Sequence, residues 1–119
     1  MKFIILGCGS SMGVPRPDGY FGKCNPKNIK NYRTRCSGLI KTSDENILID
    51  TSPDLRQQLL RHIIKRIDKV LYSHIHADQT HGINDLRSFY INSRKQVNIY
   101  ADKITSKYLK KTFSYIFKS

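Results

Sequence analysis

Three of the four histidines of this chain crowd into fifteen residues, Ser73 to Arg87, with the sequence SHIHADQTHGINDLR. His74, His76 and Asp78 alternate, and the spacing H-x-H-x-D suits an extended segment or a tight loop with all three side chains on one side. A helical zinc motif spaces its histidines four apart instead. Just upstream, Ile67 to Ser73 (IDKVLYS) is β-branched and aromatic and predicts a short buried strand, which puts the cluster at a strand's C-terminal end. Imidazole nitrogen and carboxylate oxygen are donors for Zn²⁺ and, with different geometry, for Mn²⁺ or Fe²⁺. A zinc ion that keeps one position open lowers the pKa of bound water to about 7. Metal-assisted hydrolysis is the reaction class that follows.

The rest of the chain reads as short alternating elements. Lys2 to Leu6 is a compact apolar strand that runs into GCGSSMGVPRP. The glycines there follow G-x-G-x-x-x-G and are succeeded by Pro15 and Pro17, which stop a helix from starting, so the dinucleotide fingerprint fails. Asp18 to Arg35 is polar and predicts a long surface loop. Its cations, Lys23, Lys27, Lys30, Arg33 and Arg35, stand among Tyr20, Phe21 and Tyr32, a mixture suited to nucleotide-like ligands. Strands are expected over 37–42 and 46–51, joined by a polar turn.

A helix is expected over 53–64, with Ser52 as its cap, Pro53 at the first position and Asp54 beside the positive end of the dipole. Leu55, Leu59 and Ile63 form its inward face, and His62 lies near its exposed C-terminus. Beyond the histidines, a short helix is expected over 84–91, starting near Gln79 or His81, then a strand over 97–101. Asp102 caps a last helix whose apolar residues are Ile104, Tyr108, Leu109, Phe113, Ile116 and Phe117. The order is β-loop-ββ-α-β-α-β-α, a mixed α/β chain of one domain, residues 1–119.

Composition narrows the partners. Twenty-one Lys and Arg against nine Asp and Glu give a net charge of +12, which favours phosphorylated small molecules or nucleic acid. The three cysteines, Cys8, Cys24 and Cys36, show no C-x-x-C pair and suggest a reducing, cytoplasmic compartment. The apolar run after Lys2 is too short for a signal peptide, and no run is long enough for a membrane helix.

The series FIILGCGSSMGVPR, RTRCSGLI, ILIDTSPDLRQQLL and VLYSHIHADQTHGINDLR resembles the N-terminal half of the metallo-β-lactamase superfamily. Within it, the chain is similar to hydrolases of the phosphoribosyl cyclic phosphodiesterase type, with ribonuclease Z a more distant relative. The resemblance implies an αββα sandwich with a one- or two-metal site and hydrolysis of a phosphodiester. It implies that His74 and His76 bind a first metal, that Asp78 binds a second and serves in catalysis, and that Asp50 supports the ligands.

Two departures shape the expectation. Where the family has H-x-H-x-D-H, this chain has Gln79, and an amide oxygen is a poorer ligand than imidazole; His81 is the candidate replacement. The family's second half, with its further histidines and bridging aspartate, is absent from these 119 residues. The expectation is therefore a truncated hydrolase domain that binds Zn or Mn weakly. It would turn over little alone, expose an apolar sheet face, and need a chain carrying the missing half. Alternatives are a basic nucleic-acid-binding fragment, and a remnant of a split gene.

Overall fold

The computed structural model describes residues 1–117. Five strands form one mixed sheet in chain order: β1 (Lys2–Gly7), β2 (Ser37–Lys41), β3 (Asn46–Ile49), β4 (Lys69–Leu71) and β5 (Asn98–Tyr100). β1, β2 and β3 pair antiparallel, whereas β3, β4 and β5 run parallel. Four short α-helices accompany them: α1 (Leu55–Arg61), α2 (Ala77–Thr80), α3 (Arg87–Ser93) and α4 (Lys103–Thr112). Because β1, β3 and β4 point the same way, their C-terminal ends share one edge of the sheet, and the histidine segment leaves from that edge.

Register decides which side chains enter the core. Ile4, Leu39, Leu48, Val70 and Ile99 lie in one row across the five strands. That face packs against Leu55 and Leu59 of α1, Ile83 and Leu86 after α2, and Leu109 and Phe113 of the last helix and its cap. The opposite face carries Phe3, Ile40 and Ile47 in one row, which ends on Lys69 and Asn98, and Ile5, Gly38, Ile49, Leu71 and Tyr100 in the next. Phe3 and Ile5 are 62% and 63% exposed. The sheet is thus apolar on both sides but covered by helices on one, as half of a sandwich would be. Gly38 belongs to this outer face for a steric reason: a Cβ there would sit 2.7 Å from the Phe3 ring that lies over it.

The first helix differs from expectation at both ends. It begins at Leu55, because the Ser52 hydroxyl and carbonyl are used in a turn, accepting from the N–H of Asp54 and Leu55 (both 2.9 Å). Asp54 turns its carboxylate away from the helix start, to the backbone N–H of Arg35 at 2.9 Å and its guanidinium at 3.0 Å. At the other end Ile63 is not an inward residue. The N–H groups of Ile63 and Ile64 bond back to the carbonyls of Leu60 (3.2 Å) and Leu59 (2.9 Å), with Ile63 left-handed at φ 55°. This closing motif normally carries glycine; here it turns Ile63 out, 73% exposed, and Ile64 in against the core. Ile63→Gly is expected to raise stability by about 0.5–1 kcal/mol, because relief of left-handed strain exceeds the added chain entropy. A urea melt checks it.

The first strand runs one residue further than expected, to Gly7, and the other four each lose a residue or more at their ends. The helix expected over 84–91 resolves into α2, a 3₁₀ turn at Ile83–Leu86, and α3. Asp102 caps α4 as expected, its Oδ1 accepting from Thr105 N–H at 2.8 Å. Within α4, Ile104 faces outward and Thr105 is buried in its place, and the apolar tail at Ile116 and Phe117 lies beyond the helix. No helix among the described residues is long and apolar enough to cross a membrane.

Candidate metal centre

The site begins with Asp50, where β3 ends. Its backbone is left-handed, φ 60°, a conformation that aspartate tolerates better than most residues. The turn aims a buried carboxylate across to β4: Oδ1 accepts from Ser73 N–H and Oδ2 from the Ser73 hydroxyl, both at 2.7 Å. Ser73 Oγ also lies 2.9 Å from His74 Nδ1. A hydroxyl has one hydrogen, and here it goes to Asp50, so His74 Nδ1–H donates to Ser73. In the neutral ring the lone pair then resides on Nε2, on the exposed side. Sequence reasoning named Asp50 but missed Ser73, whose role depends on the register of β3 against β4.

His76 stands beside His74, ring centroids 4.7 Å apart and planes at 82°. The expected alternation holds for these two only. His76 is the N-cap of α2, and Asp78 falls in the helix's first turn, where its Oδ2 accepts from Gln79 Nε2 at 2.9 Å. Gln79 is buried and its Oε1 has no partner. His81 follows a relay of its own, since the Thr80 hydroxyl donates to the His76 carbonyl at 3.0 Å and so accepts from His81 Nδ1, also at 3.0 Å. The His81 ring packs edge-on to Phe113 at 5.4 Å. Among the described residues, no three His, Cys, Asp or Glu side chains come together as a metal-binding group. His74 and His76 therefore stand as a pair of adjacent imidazoles, one with its Nδ1 held by Ser73, and among the described residues no third donor converges on them.

The segment is fixed by contacts that no spacing rule signals. Thr51 N–H donates to the Gln79 carbonyl at 2.7 Å, and Gly82 N–H to the Thr51 carbonyl at 3.0 Å. The Thr51 hydroxyl lies 3.2 and 3.1 Å from the carbonyls of Gln79 and Thr80 and, being committed to them, accepts from Tyr72 O–H at 2.8 Å. Burial raises the Tyr72 pKa above the ordinary phenol range.

Comparison with known proteins places this geometry. The family described as "Beta-lactamase superfamily domain" matches residues 45–119. A protein of Porphyromonas gingivalis named octanoyltransferase is 37% identical over 119 residues, 99% of this chain but 24% of its own length. A crystal structure described as a new diphosphatase from the PhnP family superposes with a TM-score of 0.89 at 37% identity, over 97% of this chain and 46% of that one. Human tRNase Z, short form, shares the fold at 20% identity and a TM-score of 0.69, over 100% of this chain and 42% of its own. Zn(2+)-bound PqqB from Methylobacterium extorquens does so at 20% and 0.57, over 86% of this chain and 49% of its own. The chain spans a quarter to a half of the length of these relatives and corresponds to the N-terminal part of their fold. With a paired-histidine segment at the parallel-strand edge and a family match over most of its length, the chain belongs to the beta-lactamase superfamily, in its metallo-β-lactamase fold.

Proposed function

We propose that residues 1–119 form the metal-holding half of a phosphodiester hydrolase. On this reading it is completed by polypeptide that covers the outer sheet face and supplies the remaining ligands. The observation that carries this reading is the relay from Asp50 through Ser73 to His74, which fixes one imidazole with its Nε2 free beside His76. Such outer hydrogen bonds orient metal ligands and raise their basicity. The similarity to a PhnP-family diphosphatase supports a phosphate-containing substrate.

His74 and His76 would hold a divalent cation, Zn²⁺ or Mn²⁺, with Asp78 as a further ligand once Gln79 releases it and His81 in reserve. The cation would supply Lewis acidity toward the phosphoryl oxygens and a nucleophilic water. Asp50 and Ser73 keep the His74 ring in place, and Asp78 offers the carboxylate nearest the two imidazoles in sequence. The Gln79 amide works against the site, since its N–H₂ occupies Asp78 while its oxygen is buried without a partner.

Calorimetric titration with Zn²⁺ tests the reading. The chain is expected to bind weakly, Ser73→Ala to weaken affinity by about tenfold or more, and Gln79→His to strengthen it by a similar factor. Unchanged affinity in Ser73→Ala would remove the relay's role. Metal-dependent turnover of bis(p-nitrophenyl) phosphate should be negligible for the chain alone; robust turnover would show that it is not half of a site.

A further inference from the structure

A second concavity lies on the β1 side of the molecule, where the end of β1 faces the 29–34 segment and the C-terminus of α1. β1 stands three strand spacings, about 14 Å, from the strand that delivers the histidines. The cleft measures about 570 Å³, within the range of small-ligand sites. Ile5 and Ile29 give it apolar surface, Lys30, Arg33 and Arg61 a cationic wall, and Tyr32 an aromatic ring; no carboxylate lines it. The four ion pairs among the described residues engage Arg16, Arg35, Arg66 and Lys69. The three cations of the cleft are thus left without an anionic partner among those residues.

The backbone that carries Arg33 is held from both sides. Arg33 and Val14 exchange both backbone hydrogen bonds, at 2.8 and 2.9 Å, and Gly9 N–H donates to the Thr34 carbonyl at 2.7 Å. From the other side Gln58 Nε2 holds Thr34 Oγ1 at 2.9 Å and the Arg35 carbonyl at 2.8 Å. This approach requires Gly7, where a Cβ would lie 2.2 Å from the Arg35 carbonyl oxygen. Tyr32 is fixed by its hydroxyl, which donates to the Pro26 carbonyl at 2.8 Å, and by Phe21 packed edge-on at 4.9 Å. Guanidinium forks suit phosphate, and a half-exposed ring held by its hydroxyl suits a planar base.

We propose that this cleft binds a nucleotide phosphate, with the phosphate on Arg33 and Arg61 and the base against Tyr32. The proposal does not rest on the metal reading, because none of these residues belongs to the histidine segment, and its test is run with chelator present. Binding of fluorescein-labelled dT10 is followed by anisotropy and binding of AMP by calorimetry, using the whole chain. Arg33→Ala with Arg61→Ala should weaken binding at least about tenfold and lower the slope of log affinity against log salt by about 2. Lys107→Ala with Lys110→Ala, which removes the same charge from exposed positions of α4, should change affinity less than about twofold. Arg33→Gln with Arg61→Gln keeps side-chain length and should give the same loss if the alanine pair melts early. Binding of both probes marks a free nucleotide site, and binding of dT10 alone marks a strand site; both support the cleft. Equal losses in the arginine and lysine pairs, or no binding of either probe by the unaltered chain, would overturn it.

Discussion

Gly82→Ala should cost about 3–5 kcal/mol and lower the melting temperature by about 10–20 °C, the largest effect expected of any single methyl group in this chain. The added Cβ would lie 1.9 Å from the Ser52 carbonyl oxygen and 2.8 Å from its carbon. Both are backbone atoms and cannot swing aside as a side-chain tip could. Gly82 N–H is also one of the bonds that tie the histidine segment to Thr51, so any shift that relieves the clash loosens the site as well. Zinc affinity should fall together with stability. Gly19→Ala is the control: it has φ 87° but nothing within 4 Å of the new carbon. It should therefore cost only the about 1–2 kcal/mol of a left-handed alanine. Far-UV circular dichroism melts separate the two, and equal losses would mean that the packing of Gly82 against Ser52 is not what makes glycine necessary there.

The second large effect concerns the outer sheet face. Ile5, Ile49, Leu71 and Tyr100 line up in one row across it, beside Phe3, Ile40 and Ile47. A continuous apolar face of this kind drives association when left open. The chain alone is expected to sediment as dimers and larger species. Ile5→Lys with Tyr100→Lys should shift it to monomers, because losing about 1.5 kcal/mol of burial at each position weakens association more than about a hundredfold. Ile5 and Tyr100 are 63% and 49% exposed, so the melting temperature of the monomer should move by only a few degrees. Sedimentation velocity reads the result. A monodisperse, cooperatively melting monomer of the unaltered chain would show that this face does not need a cover.

Much of the scaffold was legible because it rests on local patterns. Runs such as FIIL and NILI announce strands by composition, and Asp102 before a run of helical spacing announces a cap. The five strands and the last helix appear where those patterns place them. Legibility failed where a local signal met a tertiary competitor. Asp54 reads as a residue for the helix dipole, yet Arg35, nineteen positions earlier, takes both its oxygens. Ile63 continues a four-residue spacing, yet the helix has already closed at Arg61. Asp78 alternates with two histidines, yet a helix turn begins at Ala77 and changes the direction of everything after it.

The same division runs through the metal centre. Residue types and their order were enough to mark the family, the imidazole pair and the departure at Gln79, since those are properties of one short stretch of chain. Which donors meet is another matter. Ser73 reaches Asp50 only because β3 and β4 pair in parallel, Gln79 turns onto Asp78 only within the turn of α2, and Gly82 is required only because Ser52 crosses behind it. The first and last join residues brought together by register and packing, the second depends on where a helix turn begins, and none of these is written in sequence spacing. The sequence by itself determined the family and the residues proposed for its chemistry; the tertiary structure decided that His74 and His76 stand side by side while Asp78 turns to Gln79, because a helix turn begins at Ala77.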